Sequence, residues 1–150
     1  MRDRIAEAMK RALKSGDKQR LATLRLMMAA IKDREIALQM EGKGAGLTEG
    51  DTLQVLQKMV KQRRDSAEAY EKGGRPELVA QERAEIAVIE EFLPRQMSEA
   101  DVREAVSQAV QEVGAKSIKD MGPVMAELRK RYAGQMDFAK ASALLRELLK

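Results

Sequence analysis

"KQRRDSAEAYEKGGRPELVAQERAEIAVIEEFLP", residues 61–94, is the stretch that decides the fold. Ahead of its glycine pair, Ala67 and Tyr70 continue an apolar stripe begun by Leu53, Leu56 and Val60. Behind the pair, Leu78, Ile86, Ile89 and Leu93 make a second stripe. Both have the spacing of one face of an α-helix, which turns about 100° per residue. Gly73-Gly74 interrupts the pattern, and Pro76 suits the first turn of a new helix, where its missing N–H leaves no bond unmade. Leu93 precedes Pro94 and is steered away from helical geometry, so the second helix stops there. The segment predicts a helical hairpin. No other stretch alternates apolar and polar residues as a half-buried strand does, so the predicted fold class is all-α.

Working outward toward the N-terminus, helix one is expected over about Asp3 to Lys14, stopping at Ser15-Gly16. Asp17 caps helix two by accepting from a free backbone N–H. That helix runs to about Glu41 with Leu21, Leu24, Met28, Ile31 and Leu38 on one face. Gly42-Lys43-Gly44-Ala45-Gly46 ends it. The run is superficially like a phosphate loop, but no Ser or Thr follows its Gly-Lys pair and no strand leads into it; it reads as a flexible connection. Thr48 and Asp51 form a capping box for helix three, with Asp in place of Glu.

Toward the C-terminus, Ser98 with Asp101 caps helix five, whose stripe is Val102, Val106, Ala109, Val110 and Val113. Gly114 ends it. Helix six starts between Ser117 and Asp120, because Pro123 fits only near a helix start. It carries Met121, Val124, Met125, Leu128 and Tyr132, and Gly134 closes it. Asp137 caps helix seven, with Phe138, Ala141, Leu145, Leu148 and Leu149 facing inward. The expected plan is an N-terminal long-helix domain, 1–95, followed by a small three-helix domain, 96–150.

Composition narrows the chemistry. The chain has 150 residues, 44% of them hydrophobic and 35% charged, which suits a folded, amphipathic protein rather than a disordered one. It has no cysteine and no histidine, so disulfides, thiolate chemistry, zinc fingers and histidine-based triads are excluded within this chain. Carboxylates, lysines, tyrosines and hydroxyls remain. No apolar run is long enough to cross a membrane. The opening MRDRIAEAMKRALK is charged throughout rather than built like a signal peptide, which predicts a cytoplasmic protein. A net charge of +4 permits an acidic partner without demanding one.

Three charges fall on apolar stripes: Glu35 on that of helix two, Arg63 on helix three and Glu82 on helix four. A charge facing a core must be paired or neutralised. The hairpin puts Arg63 and Glu82 at comparable levels, so an ion network joining Arg63 to Glu82, Glu35 or both is expected, fixing helix register. The alternatives are a buried acid site or a metal-binding carboxylate pair. The ten methionines read as adaptable core filler ahead of a soft partner-binding groove. In "RKRYAGQMD", residues 129–137, Arg129, Lys130 and Arg131 occupy the last turn of helix six, where cations offset the partial negative charge of the helix end. Arg129 and Arg131 leave at the edges of the apolar stripe and are expected to cover helix seven or five. Lys130 points straight away, and Lys119 shares its face about 16 Å distant at 1.5 Å per residue, a separation that lets the pair touch different phosphates of one strand. No aromatic sits among them to stack a base.

LRLMMAAIKDREI at 24–36, KQRRDSAEAYEKGGR at 61–75, ERAEIAVIEEFLP at 82–94, KDMGPVMAELRKRYAG at 119–134 and LLRELL at 144–149, in this order, resemble the GatB/YqeY family over nearly the whole chain. The resemblance is to its YqeY-like stand-alone members, and the C-terminal part is similar to the tail domain of the B subunit of the tRNA-dependent amidotransferase, a carbon–nitrogen ligase with glutamine as amido donor. That likeness implies tRNA or tRNA-processing proteins as partners, with Lys119, Arg129, Lys130 and Arg131 as the nucleic-acid-binding candidates. It supplies no catalytic residue, cofactor or metal. The chain corresponds to the helical and tail regions alone and lacks the glycine- and serine-rich amidase signature. Pro123 stands where the family often has a basic residue, which removes one phosphate contact. The expectation is a non-catalytic tRNA-binding protein; the alternative is a protein–protein adaptor using its helical surfaces.

Overall fold

The computed structural model describes residues 1–42 and 46–150. Among the described residues it is all-α: seven α-helices and one 3-10 turn, with no strand. The backbone contacts separate two compact units, Met1–Leu93 and Pro94–Lys150.

The first unit holds α1 (Arg2–Ser15), α2 (Lys18–Met40), α3 (Glu49–Lys72) and α4 (Pro76–Glu90). Its ends follow local chemistry. Gly16 takes a left-handed conformation, φ 75°, and closes α1. Asp17 accepts from the Arg20 N–H at 3.1 Å to start α2. Thr48 and Asp51 exchange bonds in a full capping box at α3. Pro76 is the first residue of α4. The α3–α4 hairpin is the most extensive packing in the unit, α1 lies along α2, and α2 also packs on α3 and α4. Ile5, Leu24, Met27, Ile31, Leu56 and Ile89 are wholly buried at the centre. On α2 the inward residue is Met27, while Met28 is half-buried: the stripe runs Leu24, Met27, Ile31, Leu38. The expected Gly42–Gly46 connection lies, in its middle, outside the described residues.

The second unit holds α5 (Glu99–Val113), a 3-10 turn (Ile118–Asp120), α6 (Met121–Tyr132) and α7 (Phe138–Leu148). Ser98 and Asp101 form a capping box at α5, and Asp137 accepts from the Ala139 and Lys140 N–H groups at α7. The three helices pack pairwise around Val106, Val124, Leu128, Ala141 and Leu145. Two expected core residues point outward. Val113, the last residue of α5, is 39% exposed, and the buried face of that helix is Ala105, Val106 and Ala109. Leu148 is 51% exposed because α7 packs along the four-residue row Ala141, Leu145, Leu149, which sets Leu148 to one side. Among the described residues no helix is long and apolar enough to cross a membrane.

Candidate nucleic-acid interface

The basic run at the end of α6 is divided in its duties. The Arg129 guanidinium lies 5.9 Å from the centre of the Phe138 ring, covering the start of α7. Arg131 pairs with Glu112 of α5 at 2.5 Å and with Glu127, one turn back on α6, at 2.8 Å. The Glu112 bond first, then Glu127, raises its pKa above the ordinary arginine value. These two side chains tie α6 to its neighbours, as their position at the edges of the stripe implies. Lys130 between them is exposed and, among the described residues, has no carboxylate within ion-pair reach.

Lys119 is exposed and likewise without an ion pair among the described residues. It sits on the 3-10 turn rather than on α6, which begins at Met121. Asp120 holds that turn: its carboxylate accepts from the Lys116 N–H at 2.9 Å and the Ser117 N–H at 3.3 Å. Those two bonds, Lys116 first, keep the Asp120 carboxyl below its usual range. A 3-10 turn advances about 120° and 2.0 Å per residue, so the straight-helix spacing and direction from Lys119 to Lys130 do not carry across it. The two lysines flank α6 on exposed positions; their common face is not given by helix geometry alone.

The expected ion network is corrected. Among the described residues no ion pair joins Glu35, Arg63 and Glu82 to one another. Glu35 pairs with Arg2 of α1 and with Lys32 at 3.0 Å, and these bonds, Arg2 first, lower its pKa. Arg63 approaches Glu85, not Glu82, at 3.5 Å, and donates through a terminal nitrogen to the Met59 carbonyl at 3.2 Å. The reason is register. Arg83 reaches Glu71 at 3.9 Å and Arg64 reaches Glu90 at 3.7 Å, which fixes how α3 and α4 run past each other. At that register the level of Arg63 lies toward the end of α4, and Glu85 is a turn nearer to it than Glu82. Burial, then the neighbouring Glu85 charge, pushes the Glu82 pKa up despite the attraction of Arg63. Glu85 was missed in the sequence, although it stands three residues from Glu82 on the same helix and shares its face.

The family profile described as "Yqey-like protein" matches residues 2–149. The chain is 32% identical over 111 residues to "Altered inheritance of mitochondria protein 41, mitochondrial" of Lachancea thermotolerans, a stretch covering 73% of this chain and 57% of that protein. The protein of the same name in Saccharomyces cerevisiae (strain YJM789) is 29% identical over 111 residues, 73% of this chain and 58% of the yeast protein. The matched stretch thus spans a little over half the length of these curated relatives.

Proposed function

We propose that the chain, which belongs to the YqeY-like family, is a non-catalytic tRNA-binding protein whose three-helix unit holds the phosphate backbone. One observation carries this reading. In a run of three cations, the two that serve helix packing are bound, and the exposed one between them is free among the described residues. Lys119, before the start of α6, is free as well among the described residues. Unpaired exposed lysines are what displaces counterions from a nucleic acid. The similarity of this region to the amidotransferase tail supports tRNA as the nucleic acid.

The test is a mobility shift with tRNA at two salt concentrations. Wild type binds at low salt and weakens steeply as salt rises. Lys119→Glu with Lys130→Glu lowers affinity and flattens the log–log salt slope by about 1 to 2, while thermal stability changes by less than about 0.5 kcal/mol. Absence of tRNA binding by wild type at low salt overturns the reading. The adaptor reading then takes over, on the strength of exposed apolar side chains in the first unit: Met40 at 84%, Leu13 at 66%, and Leu26 and Ile36 on the same flank of α2 as Met40.

A further inference from the structure

The second unit contains a cleft of about 460 Å³ that the basic run does not line. One wall is a single face of α5, with Asp101, Glu104 and Gln108 spaced three, four and seven residues apart. The lining also includes Tyr132, the last residue of α6, and Gln135 in the turn that follows. Half-buried Met97, buried Ala105 and exposed Arg95 also line it. The lining is tied in place. The Met97 N–H donates to the Gln135 carbonyl at 2.9 Å. Gln96 donates to the carbonyls of Gly134, at 2.6 Å, and Pro94, at 2.9 Å.

The polar groups left over in this cleft are specific in kind. The side chains of Glu104, Gln108 and Gln135 hold no hydrogen bond or ion pair among the described residues. Two acids against one arginine do not suit an inorganic phosphate. Two primary amides, each with a donor and an acceptor side by side, suit a heterocycle edge. A carboxylate accepts two adjacent N–H groups, and among the bases guanine presents such a pair, N1–H and N2–H, beside the acceptors O6 and N7. A half-buried tyrosine offers a ring for stacking, and base–aromatic stacking is worth about 1–3 kcal/mol per base.

We propose that this cleft takes an unstacked guanine of a single-stranded RNA segment. Glu104 accepts from N1–H and N2–H, the amides of Gln108 and Gln135 donate to O6 and N7, Tyr132 stacks, and Arg95 meets the adjoining phosphate. The proposal rests on the RNA-binding reading above and adds to it a base preference that backbone lysines cannot supply.

The experiment is a titration of the isotope-labelled full chain, followed by nuclear magnetic resonance, with the pentaribonucleotides UUGUU and UUAUU. UUGUU is expected to shift signals of residues 104–108, 132 and 135 and to bind about ten-fold more tightly than UUAUU, within the usual discrimination of a well-matched base contact. Glu104→Gln removes that preference, UUGUU falling to no more than the affinity of UUAUU. Tyr132→Leu weakens both oligonucleotides; Tyr132→Phe, which keeps the ring, restores them. Lys119→Glu with Lys130→Glu weakens both and keeps the ratio. Equal binding of the two oligonucleotides, or shifts confined to other surfaces, overturns the cleft. If tRNA binds in the mobility shift but no guanine preference exists, the cleft fails and the tRNA reading stands. If UUGUU is preferred in the cleft while tRNA does not bind, the cleft stands and the tRNA reading fails.

Discussion

Glu82 and Glu35 both lie on apolar stripes, and their surroundings move them in opposite directions. Burial and Glu85 raise the Glu82 pKa. A carboxyl raised in the folded state binds its proton more tightly there, so it costs stability once ionised. The cost is absent below the ordinary carboxylate pKa and complete above the raised one. Glu82→Gln is therefore expected to increase stability at neutral pH and to remove a falling limb of stability between those two values, as read by urea unfolding across pH. Glu35, lowered by Arg2 and Lys32, works the other way: its contribution is full above the ordinary pKa and is lost as pH falls through the lowered one. Arg63 and Glu85 are about equally secluded, with 15% and 14% of their side chains exposed. Removing one partner strands the other, so Arg63→Ala should cost about 2 kcal/mol, below the range for fully buried pairs. Arg63→Met with Glu85→Gln should cost clearly less; equal losses would show that the pair contributes nothing. That these positions needed partners was legible in the sequence, because a charge on an apolar stripe stands out. Which partner was not, since that depends on how far α3 slides along α4 and how far each side chain reaches.

Helix boundaries were the most legible elements, because a cap is a conversation between residues three apart. Asp17, Thr48–Asp51, Ser98–Asp101 and Asp137 all stand where their side-chain chemistry places them. Thr48→Ala and Ser98→Ala are each expected to lower stability by about 1 kcal/mol, because a backbone N–H loses its acceptor. A loss below about 0.3 kcal/mol in urea unfolding would mean that water replaces the cap at no penalty. The failures were of two kinds, one local turn and the packing of one helix on another. The 3-10 turn holding Lys119 arises from two backbone bonds to Asp120, which no stripe records. The outward turn of Leu148 reflects which row of α7 its neighbours prefer. Tyr132 reads as one more stripe residue. Its place beside Gln108 and Gln135 emerges only after α5, α6 and the following turn are assembled.

At the scale of the whole chain, each unit has its own apolar centre, among the described residues a connected cluster of twelve buried residues in the first and ten in the second. A core that is complete within its own unit predicts separate unfolding. Isolated 96–150 should be helical, with a cooperative thermal transition of modest stability, since so short a domain buries little of its surface; a coil spectrum would refute this. The α3–α4 hairpin points to a different use of the molecule. Its tip, residues 71–77, is exposed, while the two helices behind it are joined along their length by Arg63–Glu85, Arg64–Glu90 and Glu71–Arg83 and by the buried residues of the first unit. Exposed tips of this kind accept added sequence. A protease recognition sequence inserted between Gly73 and Gly74 should be cut without loss of the fold. The two pieces would then elute together in gel filtration and part only in denaturant, making the protein a split pair that reassembles from halves.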